Sequence, residues 1–344
     1  MQHAKFMREA LREAAKGCGA TSPNPAVGAL IVRNGRILGR GWHRRAGLPH
    51  AEIEALRSLP DPSLARGATL YVTLEPCSSR GRTPPCTDAI LTAGFQRVVV
   101  GSIDPHPKHA GGGLDILRQH GIDVVTGVLE SECVHLNRAF FKWITSKRPW
   151  VVAKAAVSLD GRLTRPPGEG QWLTGTEARR DAHRLRAECD AILIGTGTLR
   201  ADNPSLTIRD VPFPEGKIQP WRVVVTRGDS PLPKEALLFT DEYRDRTLVF
   251  RGKRLSEVLD ELGQQYSITS VLVEGGGAIL GSLFSQNLAD EACFYVAPIL
   301  CGPSGVAISG MEGGLPQPSL SLKNIEYKQL GPDLRVGGLL HRTH

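Results

Sequence analysis

His50 and Glu52 in "LPHAEIEALRSL", with Cys77 and Cys86 in "TLEPCSSRGRTPPCTDAI", are the residues whose types and spacing could do chemistry. The first two open a segment whose apolar positions Ile53, Leu56 and Leu59 recur three apart, the spacing of a helix that turns this face inward. His50 and Glu52 then stand in its first turn. Cys77 closes an apolar strand, a Gly/Pro-rich loop follows, and Cys86 stands where a second helix begins. Two strand-to-helix junctions thus deliver one imidazole and two thiols. The partial positive charge of a helix N-terminus favours the thiolate that a metal requires. Three protein donors leave the fourth position of a tetrahedral zinc ion to water, as in catalytic zinc sites. Zinc lowers the pKa of such a water to about 7, and Glu52 is placed to carry its proton. A purely structural zinc would need a fourth protein donor, for which His43 is the nearest candidate.

The elements that must position these groups fit a chain of 344 residues with 41% hydrophobic content, enough for two domains. Phe6, Met7, Ala10, Leu11, Ala14 and Ala15 line one face of an N-terminal helix ending near Gly17, without the apolar core of a signal peptide. No run of about 18 apolar residues follows. A soluble, cytoplasmic protein without membrane partners is expected. Strands "VGALIV" and "ILGRGW" flank the turn Asn34-Gly35; after the His50 helix come "ATLYVTLEP", a helix from Pro85 to Ala93, "RVVVGSI", the helix "GGLDILRQHG" and the strand "IDVVTGV". This alternation predicts a layered α/β domain over 1–146, closed by the helical "ESECVHLNRAFFKWITS". The basic, proline-containing "KRPW" marks the boundary. A second α/β series over 147–344 opens with "VVAKAAVS" and includes "AILIGTGTL", "RVVVTR", "RTLVFR", "SVLVEGGGAILGSLF" and "DEACFYVAPIL". Seven scattered cysteines, an odd number, do not form a secreted disulfide framework. The net charge of +7 suits an anionic partner, yet the basic residues are dispersed rather than gathered in a nucleic-acid-binding tract.

His-x-Glu followed by Pro-Cys and a further Cys resembles the zinc-dependent cytidine and nucleobase deaminases. Their usual Pro-Cys-x-x-Cys is here interrupted by the eight residues "SSRGRTPP". That longer loop, with "SPNPAVGALIV" upstream and "GWHRRAGLPHAE" between, resembles the deaminase half of the bifunctional riboflavin-biosynthesis deaminase-reductases, and the resemblance runs nearly end to end. It implies an N-terminal cytidine-deaminase-like three-layer domain in which Asn24 and His43 face the substrate.

In the second half, the apolar strand ending at Glu274, three glycines and a helix make Gly276 to Gly281 a candidate pyrophosphate cradle, since glycines admit a ligand to backbone amides and a helix N-terminus favours an anion. The spacing is not the Gly-x-Gly-x-x-Gly dinucleotide fingerprint. "KAAVSLDGR", "GEGQWLTG" and "HRLRAECDAILIGTGTLRADNPSLTIR", in that order, are similar to the reductase half of the same family. The resemblance implies a dihydrofolate-reductase-like α/β fold using NADPH. By it Ala156, Trp172, Thr198, Asp202, Gly276, Gly277, Ala278, Gly281 and Ser282 line the cofactor, and Gly170, Arg186, Leu206, Arg209 and Glu274 the substrate. Members of the family often carry serine where Gly170 stands, so only a backbone contact carries over there. Arg186 and Arg209 suit a phosphate ester through paired guanidinium hydrogen bonds. Arg227, after the strand "RVVVT", is a candidate for the 2′-phosphate of NADPH. Lys154 and Asp160 stand out without an assignable role.

The resemblance implies two steps on one small phosphorylated pyrimidine. Zinc-activated water deaminates a diaminopyrimidinone bearing a phosphoribosylamino group, and NADPH then reduces the ribose of the resulting aminouracil. A homo-oligomer that binds no nucleic acid is expected. The rivals are a tRNA-type deaminase, slightly favoured by the basic pI of 9.1, and a non-enzymatic module in which zinc only holds the fold.

Overall fold

Alternating apolar strands and amphipathic helices build two α/β units in the computed structural model, which describes residues 2–79, 84–106, 110–213, 216–228, 230–308 and 319–342. One unit comprises Met1–Lys147 with Pro214–Ile218, the other Arg148–Phe213 with Gln219–His344.

In the first unit, α1 (Gln2–Ala15), β1 (Gly28–Arg33), β2 (Arg36–Trp42), α2 (Ala51–Arg57), β3 (Thr69–Leu74), α3 (Cys86–Ala93), β4 (Arg97–Ser102), α4 (Gly112–Gln119), β5 (Asp123–Val125), α5 (Glu130–Leu136) and α6 (Arg138–Ser146) follow in order. The sheet runs β2-β1-β3-β4-β5, antiparallel at β1 and parallel from β3 to β5. Alternate residues of each strand feed opposite faces. Leu30 and Val32 pack with Phe6, Met7 and Ala10 of α1 and Cys133 of α5, while Ala29 and Ile31 pack with Ala51 and Ala55 of α2, Ile90 of α3 and Leu114 of α4. Three layers result. Asn34 and Gly35 both take positive φ, 51° and 74°, as a two-residue hairpin turn with right-handed twist requires.

One local expectation is corrected in part. The inward face of α2 is Ala51, Glu52 and Ala55, with Ile53 and Leu56 only half-buried, while Leu59 just past the helix is buried as expected. The reason lies in β2: a Cβ on Gly41 would stand 2.2 Å from Ala55 N and 2.4 Å from Ala51 O, so only the small-residue face can approach. The stretch 130–146 is helical as expected and divides into α5 and α6 at Asn137, which leaves helical geometry at φ −105° and ψ 19°.

The second unit contains β6 (Trp150–Ser158), α7 (Thr176–Glu188), β7 (Ala191–Gly195), α8 (Thr196–Asp202), β8 (Trp221–Thr226), α9 (Leu237–Thr240), β9 (Thr247–Arg251), α10 (Leu255–Gln265), β10 (Ser270–Val273), α11 (Gly277–Ser285), β11 (Glu291–Ala297), β12 (Leu320–Leu330) and β13 (Asp333–Arg342). Its sheet order is β12-β13-β11-β6-β10-β7-β8-β9, parallel from β11 to β9 with an antiparallel hairpin at one edge. β12 shows solvent a run of mostly polar residues, so no apolar alternation announces it. Asp181 of α7, fully buried, ties the hairpin down by accepting from Lys328 Nζ at 2.7 Å, Arg335 Nη1 at 3.1 Å and Tyr295 Oη at 3.0 Å.

β7 and β10 are neighbours whose chains leave in opposite directions, toward β8 and toward β11. Such a switch point opens a crevice at the carboxyl ends of parallel strands, where ligands bind in α/β proteins. Glu274, Gly276 and Thr198 all stand there.

Candidate metal centre and reductase crevice

β3 ends just before Pro76-Cys77, and the amino ends of α2 and α3 meet it. His50 is the N-cap residue of α2 and Cys86 the first residue of α3. His50 Nδ1 lies 3.2 Å from Cys86 Sγ and 3.5 Å from Cys77 Sγ, and the Cys86 amide donates to Cys77 Sγ at 3.3 Å. The three donor atoms fall within 4.8 Å of one another. Zinc bonds of about 2.3 Å to sulfur and 2.0–2.1 Å to nitrogen put tetrahedral donors about 3.5 Å apart, so these residues fit the ion.

Hydrogen bonds from Cys86 and His50 hold the Cys77 thiol well below its usual range, while its contact with Cys77 and burial push Cys86 the other way. Glu52 is fully buried, and burial raises its carboxyl above the ordinary range against the pull of His50. A carboxyl so placed can hold a proton near neutral pH.

His43 does not complete the donor set. Among the described residues the cluster has three members, and both His43 nitrogens are engaged: Nδ1–H donates to Pro49 O at 3.0 Å, which leaves Nε2 to accept from Asn24 Nδ2 at 3.2 Å. Burial lowers the His43 pKa and favours this neutral form. Its ring meets that of His50 edge-on at 5.3 Å between centroids.

In the second unit, Arg186 is not on a solvated face of α7. Its Nε and Nη2 donate to the two oxygens of Glu274 at 2.6 and 2.9 Å, and Nη1 donates to Thr207 O at 3.0 Å. Lys154 Nζ stands 3.5 Å from the same carboxylate, which gives that lysine a partner. Burial alone would raise Glu274, but Arg186 and Lys154 hold it far below the usual carboxylate range. Asp160 is a loop anchor, accepting from the amides of Cys301 at 3.0 Å and Gly302 at 2.7 Å.

His183 Nδ1 accepts the Arg209 amide at 3.1 Å. Burial, Arg186 and Arg209 lower its pKa to about 4. Below pH 6.5 the unfolded chain therefore binds a proton that the folded one refuses, so this group costs stability progressively as pH falls from 6.5 toward 4. His183→Asn keeps an acceptor for the Arg209 amide without a titrating ring. Its melting temperature relative to the parent should rise as pH falls from about 7 to about 5, and a pH-independent difference would contradict this environment for His183.

Gly276 caps α11 at φ −73°, and a Cβ added to it would meet Thr198 Oγ1 at 3.8 Å, ordinary contact distance. The amides of Gly276, Gly277 and Ala278 fall among those that a helix leaves unpaired. With the glycines beneath them they suit a pyrophosphate. Gly281 is buried a turn further into α11, and Ser282 Oγ bonds Ala278 O at 3.0 Å. Ala156 lies half-buried on β6, whereas Trp172 is 58% exposed and is no core residue. Arg179 lies over the Trp172 ring at 5.4 Å. Gly170 has φ 100°, a conformation that glycine adopts at little cost and serine does not. Leu206 is buried at φ 52°. Asp202 is exposed at the end of α8, where Asn203 rather than Asp202 takes the left-handed C-cap conformation. Arg227 is exposed just past β8. The structure thus joins Arg186, Glu274 and Lys154, Arg209 with His183, and Thr198 with Gly276; among the described residues no hydrogen bond or ion pair joins Gly170, Asp202 or Arg227 to them.

A three-donor metal centre in a three-layer unit, followed by a parallel-sheet crevice with an anion cradle, defines a zinc-dependent deaminase fused to a nucleotide-using reductase. Residues 1–102 match the cytidine and deoxycytidylate deaminase zinc-binding region, and residues 149–336 match the RibD C-terminal domain. The chain is 39% identical to riboflavin biosynthesis protein RibD of Escherichia coli K12, over 97% of this chain and 98% of that one. It is 38% identical to that of Aquifex aeolicus, over 96% of each. It superposes on Acinetobacter baumannii RibD with TM-score 0.91 at 36% identity, and on a Thermotoga maritima diaminohydroxyphosphoribosylaminopyrimidine deaminase/5-amino-6-(5-phosphoribosylamino)uracil reductase with TM-score 0.85 at 33% identity, covering 99% of both chains in each case. The chain belongs to the RibD family of bifunctional deaminase-reductases of riboflavin biosynthesis, with a zinc-binding deaminase domain and a reductase domain of the type that uses NADPH.

Sequence reasoning passed over Glu75, His183 and Asn137. Glu75 accepts the amides of Asp104, Gly111 and Gly113 at 3.1, 2.9 and 3.0 Å, fixing the start of α4 beside the metal strand. Only His183 carried a local signal, three residues before Arg186 and so on the same side of its helix.

Proposed function

We propose that His50, Cys77 and Cys86 hold the zinc, that Glu52 moves the protons, and that the substrate is 2,5-diamino-6-(5-phosphoribosylamino)pyrimidin-4(3H)-one. The observation that carries the reading is a buried carboxyl, Glu52, beside a three-donor cluster. Zinc, when bound, supplies the Lewis acidity that makes water a nucleophile at neutral pH. Glu52 accepts the water proton and donates it to the 2-amino group as the carbon–nitrogen bond breaks, so water is consumed and ammonia leaves. Asn24 and neutral His43 line the pyrimidine.

In the second unit Arg186 and Arg209 bind the phosphate ester, joined by the backbones of Gly170 and Leu206, and Glu274 with Lys154 holds Arg186 in place. Gly276, Gly277 and Ala278 receive the cofactor pyrophosphate beside Ala156, Trp172, Thr198, Asp202 and Ser282; Gly281 supports them from within the helix. NADPH, when bound, supplies the reducing equivalents that convert the ring-opened ribose, as its imine, to the ribitylamino product. Arg227 meets the 2′-phosphate. Arg227→Glu should therefore raise KM for NADPH about ten-fold or more while barely changing that for NADH, and an unchanged NADPH KM would remove the assignment.

The reading extends to a cytoplasmic enzyme with no nucleic-acid partner. The seven free cysteines suit a reducing compartment; among the described residues no helix is long and apolar enough to cross a membrane. A homo-oligomer belongs to it too, supported by the long edge strand β12 with Ile325 and Tyr327 exposed; the mass in solution tests this. One incubation with the diaminopyrimidinone and NADPH, following ammonia and cofactor absorbance together, tests the function. Ammonia without NADPH consumption would sink the reductase assignment; neither signal from zinc-loaded protein would sink both.

A further inference from the structure

We propose that Asn137 is a positioning residue of the deaminase half: by gripping the backbone of Ala26 it holds Asn24 against His43 and so sets the edge that meets the pyrimidine. The proposal rests on the reading of Asn24 and His43 as substrate-facing.

Asn137 is buried at 4% exposure, yet its side chain caps neither adjoining helix. The helical backbone bonds around it persist, its amide reaching Val134 O at 3.1 Å and its carbonyl accepting from Phe141 at 2.9 Å. Its side chain is spent instead on one residue 111 positions away: Oδ1 accepts the Ala26 amide at 2.8 Å, and Nδ2 donates to Ala26 O at 2.9 Å.

The segment it grips needs outside support. Pro23 and Pro25 lack amide donors, so the backbone beside Asn24 has few bonds to make. Its other anchors are Asn24 N to Thr21 O and His43 N to Val27 O, both at 2.9 Å. From Ala26 the bonds continue through Asn24 Nδ2 to His43 Nε2, and through His43 Nδ1 to Pro49 O, the carbonyl preceding the metal donor His50. Removing the Asn137 amide strands both backbone polar atoms of buried Ala26, a penalty relieved by letting residues 22–26 move toward water.

The test uses full-length, zinc-loaded Asn137→Ala, Asn137→Asp and Asn24→Ala. Asn137→Asp keeps the acceptor and shape but sets an oxygen against Ala26 O, so it guards against a folding defect in the alanine variant. Both Asn137 variants should raise the deaminase KM about ten-fold and move kcat less than about three-fold. Zinc content and reductase kcat/KM should stay at parental values. The proposal is overturned if Asn24→Ala raises KM while the Asn137 variants do not. It is overturned equally if the Asn137 variants lose zinc and both activities together, the mark of mere structural support. If Asn24→Ala leaves KM unchanged, the reading of Asn24 falls, and the proposal with it.

Discussion

Glu52→Gln is expected to lower deaminase kcat by about 10²–10⁴-fold, the range that general acid-base groups contribute. Zinc content and the reductase rate should not change. Glutamine fits because the wild-type carboxyl is fully buried and already biased toward its neutral form. Melting temperature should accordingly hold or rise, since a buried ionisable group is replaced by a neutral one of the same shape. Ammonia release, metal analysis and reduction of the aminouracil on one preparation decide the matter. Retained deamination would show that the proton travels by another route and would remove Glu52 from the proton-carrying role.

The second large effect is expected at Arg186. Arg186→Met removes two charge-assisted bonds from Glu274, whose side chain is only 11% exposed, and leaves it Lys154 at 3.5 Å. Stripping one partner from a buried ion pair costs about 3–5 kcal/mol, and the remaining lysine puts this case toward the lower end. Reductase kcat/KM should fall by roughly 10²-fold or more with loss of the proposed phosphate ligand. Deamination should persist. The double variant Arg186→Met/Glu274→Leu separates the two effects: without a stranded carboxylate it should recover stability but not reduction. Recovery of reduction as well would mean that Arg186 serves only to neutralise Glu274.

Local rules made the metal centre legible. His50, Glu52, Cys77 and Cys86 lie at ends of short elements whose starts are marked by proline, glycine and apolar periodicity, so sequence spacing fixes where those ends fall. The layered architecture followed from the same alternation. The inward face of α2 did not, because the periodicity of Ile53, Leu56 and Leu59 says nothing of the glycines on the strand opposite. The reductase crevice was legible mainly through family resemblance. Arg186 and Glu274 are 88 residues apart, and nothing local to either predicts an ion pair.

The sequence by itself determined the donor types, the order of junctions that carry them, the two α/β series and the family. Periodicity, turn chemistry and motif spacing act over a few residues and are written there. Tertiary structure alone decided which groups share a space: that His43 is sealed by Asn24 and Pro49 rather than joining the metal set, that Lys154 faces Glu274, and that Asn137 reaches Ala26. Those contacts follow from strand order and helix packing, which sum weak interactions over whole faces, and no short stretch of the chain encodes them.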